Sequence, residues 1–190
     1  MKLIIGLGNP GEKYEKNRHN TGWRAVEFLA GEAGWNREEK FKALTNVVKL
    51  AGQKVVLTKP ETFMNNSGQA AAKLKNFYKI KNQDILIIYD DIDLLLGTAR
   101  LRLQGSSGGH HGLDSVLKSL KSEAIARLKI GIAEGRSGKQ KIPSEQYVLK
   151  NFSKKGEEVL GKVLCLLPDA AAGWVKGDIK DLTSKVDRIV

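Results

Sequence analysis

Only one cysteine, four prolines and three histidines occur in 190 residues. A lone Cys165 excludes an internal disulfide and suits a reducing compartment. It lies in the apolar run VLCLL, with no basic or histidine neighbour there to activate it, so a core thiol is expected rather than a nucleophile. No apolar run approaches the length of a membrane span, and the one before Asn9 is too short for a signal peptide. A cytoplasmic protein with no membrane partner is therefore expected. Internal repeats, low-complexity segments and linkers are also missing.

Acidic residues are the next shortage. Against 32 Lys and Arg stand 21 Asp and Glu, a net charge of +11 with a pI near 9.7. A surplus of this size points to a polyanionic partner, although solvated lysines on any soluble protein give the same total. The distribution is uneven. Residues 151–190 hold seven basic and six acidic side chains, whereas residues 98–141 hold nine basic and three acidic. The length and the 41% hydrophobic content suit one domain with a real core, so residues 1–190 are expected as a single domain.

Apolar periodicity outlines the elements. KLIIGL and ILIIYDD read as buried strands, the second closing at Asp90 and Asp91. LTNVVKL and QKVVLTK form two strands about an Ala-Gly turn, TARLRLQ alternates as a half-exposed strand does, and ARLKIGIA is another strand. Val26, Leu29, Ala30 and Ala33 follow Thr21, a candidate helix cap; Ala70, Leu74, Phe77 and Tyr78 follow Asn66 or Ser67, candidates for the next. LDSVLKSL is helical, and the C-terminal part is helical with a break at Pro168. Strands alternating with helices predict an α/β single-domain, three-layer sandwich, its twisted sheet mixed but mostly parallel and flanked by helices.

Gly6, Gly8 and Gly11 in GLGNPG match the dinucleotide fingerprint after a strand. The turn then runs through Asn9 and Pro10 into EKYEKNRHN, which lacks helical spacing, and no acidic residue closes a second strand. No nucleotide cofactor is expected. Other polar groups stand where α/β proteins place their sites: Asn9 after the first strand, His19 and Asn20 before a helix, Asn65 and Asn66 before another, and Asp90 at a strand end. A histidine beside a carboxylate suits general-base chemistry, while asparagine amides bind a carbonyl or oxyanion without titrating. On spacing alone His19 is equally a helix cap, and Asp90–Asp91 equally solvated turn residues or a magnesium site. The doublet His110–His111 sits in GSSGGHHG without the cysteines or histidines that would complete a metal set, and without the lysine of a phosphate-binding loop.

Four motifs in order, GLGNPGxxYxxxRHNxG, TFMNxSG, DDIDLxxG and GGHxG before a helix, resemble those of bacterial peptidyl-tRNA hydrolase over nearly the whole chain. The resemblance implies a monomeric α/β esterase that cleaves peptide from tRNA, with neither metal nor organic cofactor. It implies His19 as the base that activates water and Asp90 as the group that orients it. Asn9 would distinguish a blocked aminoacyl group, Asn65 would bind near the scissile ester, and Tyr14 and Phe63 would line the pocket for the tRNA end. Arg100, Arg102 and Lys129 would face phosphate, the last standing where arginine is usual, so that charge is kept but the bidentate fork is lost. His111 replaces the asparagine of the pattern GGHNG and would form part of the substrate wall. Relatives that bind RNA without hydrolysing it supply the alternative reading, which would allow loss of the base and its partner; this chain has both.

Overall fold

The computed structural model describes residues 1–134 and 142–178. Strands lie at Lys2–Gly6 (β1), Asn36–Glu38 (β2), Ala43–Leu50 (β3), Gln53–Pro60 (β4), Ile85–Leu95 (β5), Ala99–Arg102 (β6) and Ala126–Ala133 (β7). Helices lie at Thr21–Ala30 (α1), Ser67–Phe77 (α2), His111–Leu120 (α3), Ser144–Val148 (α4), Lys154–Cys165 (α5) and Leu167–Lys176 (α6). The strands form one sheet in the order β2-β3-β4-β1-β5-β7-β6. The central strands β4, β1, β5 and β7 are mutually parallel, and β3 and β6 run against them. This is the mixed, mostly parallel sandwich that the alternation of strands and helices predicts.

Both faces of the central strands are covered, which is why their sequences are almost unbroken apolar runs. Ile4, Leu57, Leu86 and Ile88 turn to one face and pack with α1, α5 and α6. Leu3, Ile5, Val56, Ile85 and Ile87 turn to the other and pack with α2 and α3. Burying each such side chain stabilises the fold by about 1.5–3 kcal/mol. Parallel pairing obliges each crossover to return through a helix, and the loops that leave β1 and β5 thereby gather at one end of the sheet.

The glycine fingerprint is a packing device. After β1 the chain makes two single 3₁₀ turns, Glu12–Tyr14 and Arg18–Asn20, before α1 starts. Gly6 and Gly22 let α1 rest directly on the sheet: a Cβ on Gly6 would lie 2.1 Å from the Gly22 carbonyl oxygen, and one on Gly22 would lie 2.3 Å from that of Ile88.

Several local expectations need correction. Cys165 is exposed, because it falls on the outer side of α5 next to the break before α6. Thr21 does not cap α1; its hydroxyl donates to the Arg18 carbonyl at 2.6 Å. Neither Asn66 nor Ser67 caps α2, and the Ser67 hydroxyl donates to the Met64 carbonyl at 2.9 Å. Both helices grow out of a preceding 3₁₀ turn, so the hydroxyls face back into that turn instead of forward along the helix. Asp90 and Asp91 do not end their strand, since β5 runs on to Leu95 through an irregularity in its pairing with β7. Pro168 does mark the break between α5 and α6, in the first turn of α6. The last residues of the expected C-terminal helix, from 179 onward, lie outside the described residues, as do Arg136, Lys139 and Lys141 of the basic segment.

Candidate active site

Asp90 is the centre of the site. It lies within β5, 2% exposed, and accepts hydrogen bonds from two histidines that come from different loops. The 3₁₀ turn Arg18–Asn20 delivers His19, whose Nδ1 lies 3.0 Å from each carboxylate oxygen. The glycine-rich loop delivers His110, whose Nε2 lies 3.1 Å from Oδ1. A carboxylate can only accept, so both facing ring nitrogens carry the proton. The tautomers follow from these partners. His19 is left with a bare Nε2 lone pair that has no partner among the described residues.

His110 has no such freedom. Its Nδ1 accepts from the Leu113 amide at 3.1 Å, which makes it the side-chain cap of α3. Tyr89 packs edge-on against its ring at 4.7 Å, and the His19 ring stands 4.9 Å away. Gly112 permits this crowding, because a Cβ there would come within 2.3 Å of the Met64 sulfur. The doublet thus divides its work: His110 is structural to Asp90, and His111, the first residue of α3, is exposed and lines the same pocket as His19.

Electrostatics follow from this sharing. Burial by itself would push the Asp90 carboxyl up, but two imidazoles with their charges and hydrogen bonds hold it well below the usual carboxylate range. For His19, burial opposes the charged form, yet the Asp90 charge and hydrogen bond outweigh it and raise the imidazole above its ordinary 6.5. The pair therefore favours a proton on His19 once one arrives.

Asparagines tie the surrounding loops together. The Asn20 side chain holds the Asn9 backbone at both ends, accepting from its amide at 2.9 Å and donating to its carbonyl at 3.0 Å. Asn9 in turn accepts the Met64 amide at 2.8 Å, which links the loop after β1 to the loop after β4. Its carboxamide oxygen is engaged there, and its NH₂ group has no hydrogen-bond partner among the described residues that would keep it from a ligand. Asn65 is exposed beside Met64, and Phe63 is 58% exposed on the same loop. Tyr14 is half-buried under Lys13, whose ammonium stands 4.8 Å from its ring centre.

His19, Asp90, His110, His111 and Lys129 all border one pocket of about 310 Å³; Asn9, Tyr14, Phe63, Asn65, Arg100 and Arg102 lie outside it. Arg100 pairs with Lys129 across β6 and β7, and Arg102 with Arg127, so these four cations share one face at the edge of the sheet. Lys129 is already engaged, with its ammonium 2.8 Å from Asp91. Reasoning from sequence noticed His110, Asn20 and Asp91 without finding their partners, and it overlooked Arg127. It also looked for metal ligands among near neighbours, whereas the fold brings His19, Asp90 and His110 to within 4.8 Å of one another, a set that could hold an ion. Both facing ring nitrogens would first have to give up their protons.

A buried His–Asp pair where the turn after β1 meets β5, opening on a small pocket, is an arrangement suited to the general-base chemistry of a hydrolase. The sequence model of the peptidyl-tRNA hydrolase family matches residues 3–189. A Sulfurihydrogenibium sp. (strain YO3AOP1) peptidyl-tRNA hydrolase is 46% identical over 164 residues, 86% of this chain and 85% of its own. The Clostridium perfringens enzyme (strain 13 / Type A) is 38% identical over 190 residues, covering 100% of this chain and 98% of its own. The crystal structure of the Acinetobacter baumannii peptidyl-tRNA hydrolase superposes with a TM-score of 0.90 at 30% identity, covering 100% of this chain and 95% of that one. The chain belongs to the peptidyl-tRNA hydrolase family.

Proposed function

We propose that His19 activates water for hydrolysis of the ester between peptide and tRNA, the reaction for which the family is named. The observation that carries this is the bare Nε2 of a histidine whose Nδ1–H is fixed on a buried carboxylate. Water bound at Nε2 attacks the ester carbonyl and gives its proton to the ring. The imidazolium is stabilised by Asp90, Asn65 binds the substrate near the scissile ester, and Asn9 distinguishes the blocked aminoacyl group from a free one. Collapse of the tetrahedral species breaks the bond to the ribose oxygen, which takes the proton back from His19. A free peptide carboxyl and a free tRNA result. Tyr14 and Phe63 flank the tRNA end, and His111 forms the wall opposite His19.

Affinity rests on phosphate contacts by Arg100, Arg102 and Lys129 at the sheet edge. For Lys129 this means exchanging Asp91 for a phosphate. The reaction uses no metal and no organic cofactor, and the protein acts as a cytoplasmic monomer. Among the described residues no helix is long and apolar enough to cross a membrane.

The decisive experiment is incubation with an N-acetyl-aminoacyl-tRNA, following release of free tRNA by wild type and by His19→Ala. Loss of a positioned base should slow turnover by about 10²–10⁴ with tRNA binding intact. Near-normal turnover by the variant would remove His19 from the mechanism, and no turnover by wild type would favour an RNA-binding role.

A further inference from the structure

Arg127 shares a sheet face with Arg100, Arg102 and Lys129, the cations proposed to meet phosphate, but it is 1% exposed and cannot meet one. Its guanidinium is turned inward onto main-chain carbonyls. Nη1 donates to Gly105 at 2.6 Å and to Ser106 at 2.9 Å. Nη2 donates to Glu123 at 2.8 Å and to Ile125 at 3.2 Å, and Nε donates to Ile125 at 3.3 Å. No carboxylate forms an ion pair with it among the described residues. Burial depresses the guanidinium pKa, but arginine stays charged in proteins, so carbonyl dipoles stand in for a counter-ion.

Those carbonyls belong to the two ends of one segment. Gly105 and Ser106 open the glycine-rich loop before α3, and Glu123 and Ile125 lie in the link from α3 to β7. The Gly105 amide also donates to the Glu123 carbonyl at 3.2 Å, which closes the segment on itself. Beyond Ser106 the chain passes through Gly108 (φ 59°) and Gly109 (φ 82°) before reaching His110. Two glycines in left-handed conformation permit this path without enforcing it. Asp90, the Leu113 amide and Tyr89 hold the imidazole itself, and the backbone that enters the loop needs an anchor of its own.

We propose that Arg127 is a positioning residue for the hydrolytic centre: by clamping the entry of the glycine loop it seats the His110 imidazole on Asp90, and so sets the carboxylate that orients His19. The proposal rests on His19 and Asp90 being the catalytic pair. A lysine would retain the charge but has no planar fork to serve carbonyls on both sides.

The test compares full-length Arg127→Lys and Arg127→Ala with wild type on N-acetyl-aminoacyl-tRNA. A small displacement of a catalytic group can cost about 10²-fold, and kcat should fall by about 10 to 10²-fold while KM and the salt dependence of tRNA binding stay as in wild type. Millimolar methylguanidinium should restore kcat to Arg127→Ala and leave His19→Ala unchanged. Ring ¹⁵N spectra of Arg127→Lys should show that His110 no longer has a fixed tautomer while the rest of the chain remains folded. A loss in KM or in salt slope would instead make Arg127 part of the RNA surface. Unchanged kcat, or failure of both variants to fold, would also overturn the proposal. If His19→Ala proved active, the catalytic reading would fall, but the His110 spectra would still report whether Arg127 holds the loop.

Discussion

Two of the clefts among the described residues differ greatly in size. The one beside α1, of about 890 Å³, is bordered by Trp23, Arg24, Glu27, Lys59 and Glu157. The pocket above Asp90 has about 310 Å³. Three cations that border the larger cleft each hold a carboxylate of their own: Arg24 forks onto Glu157, Lys59 pairs with Glu27, and Arg37 forks onto Glu61. In the smaller one a single carboxylate serves two histidines, and one ring nitrogen is left over. On the function proposed above, volume alone would choose the wrong cleft, and the unpartnered Nε2 of His19 is what marks the smaller one.

This contrast can be broken or sharpened. The largest effect after loss of His19 itself is expected from Asp90→Asn. The carboxylate raises the His19 pKa above 6.5, so the deprotonated base accumulates only above that shifted value and kcat/KM should decline below it. With the charge removed, burial alone remains and lowers the pKa. The acidic limb of the pH–rate profile should therefore move to lower pH, with a maximal rate reduced by about 10² or more because the imidazolium is no longer stabilised. An unmoved limb would show that Asp90 does not govern the base.

Next in size is the contribution of the cations at the sheet edge. Arg100→Ala and Arg102→Ala should each reduce the slope of log K against log salt by about one unit for every phosphate left without its cation, read from tRNA binding across a salt series. Unchanged slopes would leave the basic face as a solvated surface. His111→Asn should be milder still, within a few-fold of wild type. Asparagine offers a donor and an acceptor, as a neutral imidazole does. Near-complete loss of turnover would make His111 a catalytic group. Smallest of all is Arg24→Ala in the large cleft. Its half-exposed ion pair is worth at most about 1 kcal/mol of stability, seen as a small shift in the denaturant midpoint, with turnover unchanged.

Much of this arrangement was legible in the residues, and the rest was not for identifiable reasons. The strands were readable because β1 and β5 are apolar on both faces, and β6 alternates because only one face is covered. The pairing of His19 with Asp90 was suggested by their positions at loop and strand ends and by the family motifs, but spacing could not show that the two loops meet. His110 stood out in its doublet, but its role escaped because it needs two partners at once, one at a helix start and one in a strand. Arg127 looked like any other cation of a basic segment; only its burial under a glycine loop separates it from Arg102. Caps failed where a 3₁₀ turn precedes the helix, since hydroxyls then find acceptors behind them. Cys165 failed because VLCLL straddles the end of a helix, where a short apolar run has an outside as well as an inside.

The asparagine clasp has a consequence for how the enzyme comes into being. Asn20 grips Asn9, and Asn9 grips Met64, so the walls of the site are joined across sequence separations of 11 and 55 residues. The second of these contacts forms only after the parallel pairing of β1 with β4 has closed a long stretch of chain, a slow class of event in folding. The walls of the site are therefore finished no earlier than the sheet that carries them, and a destabilised sheet would loosen them first.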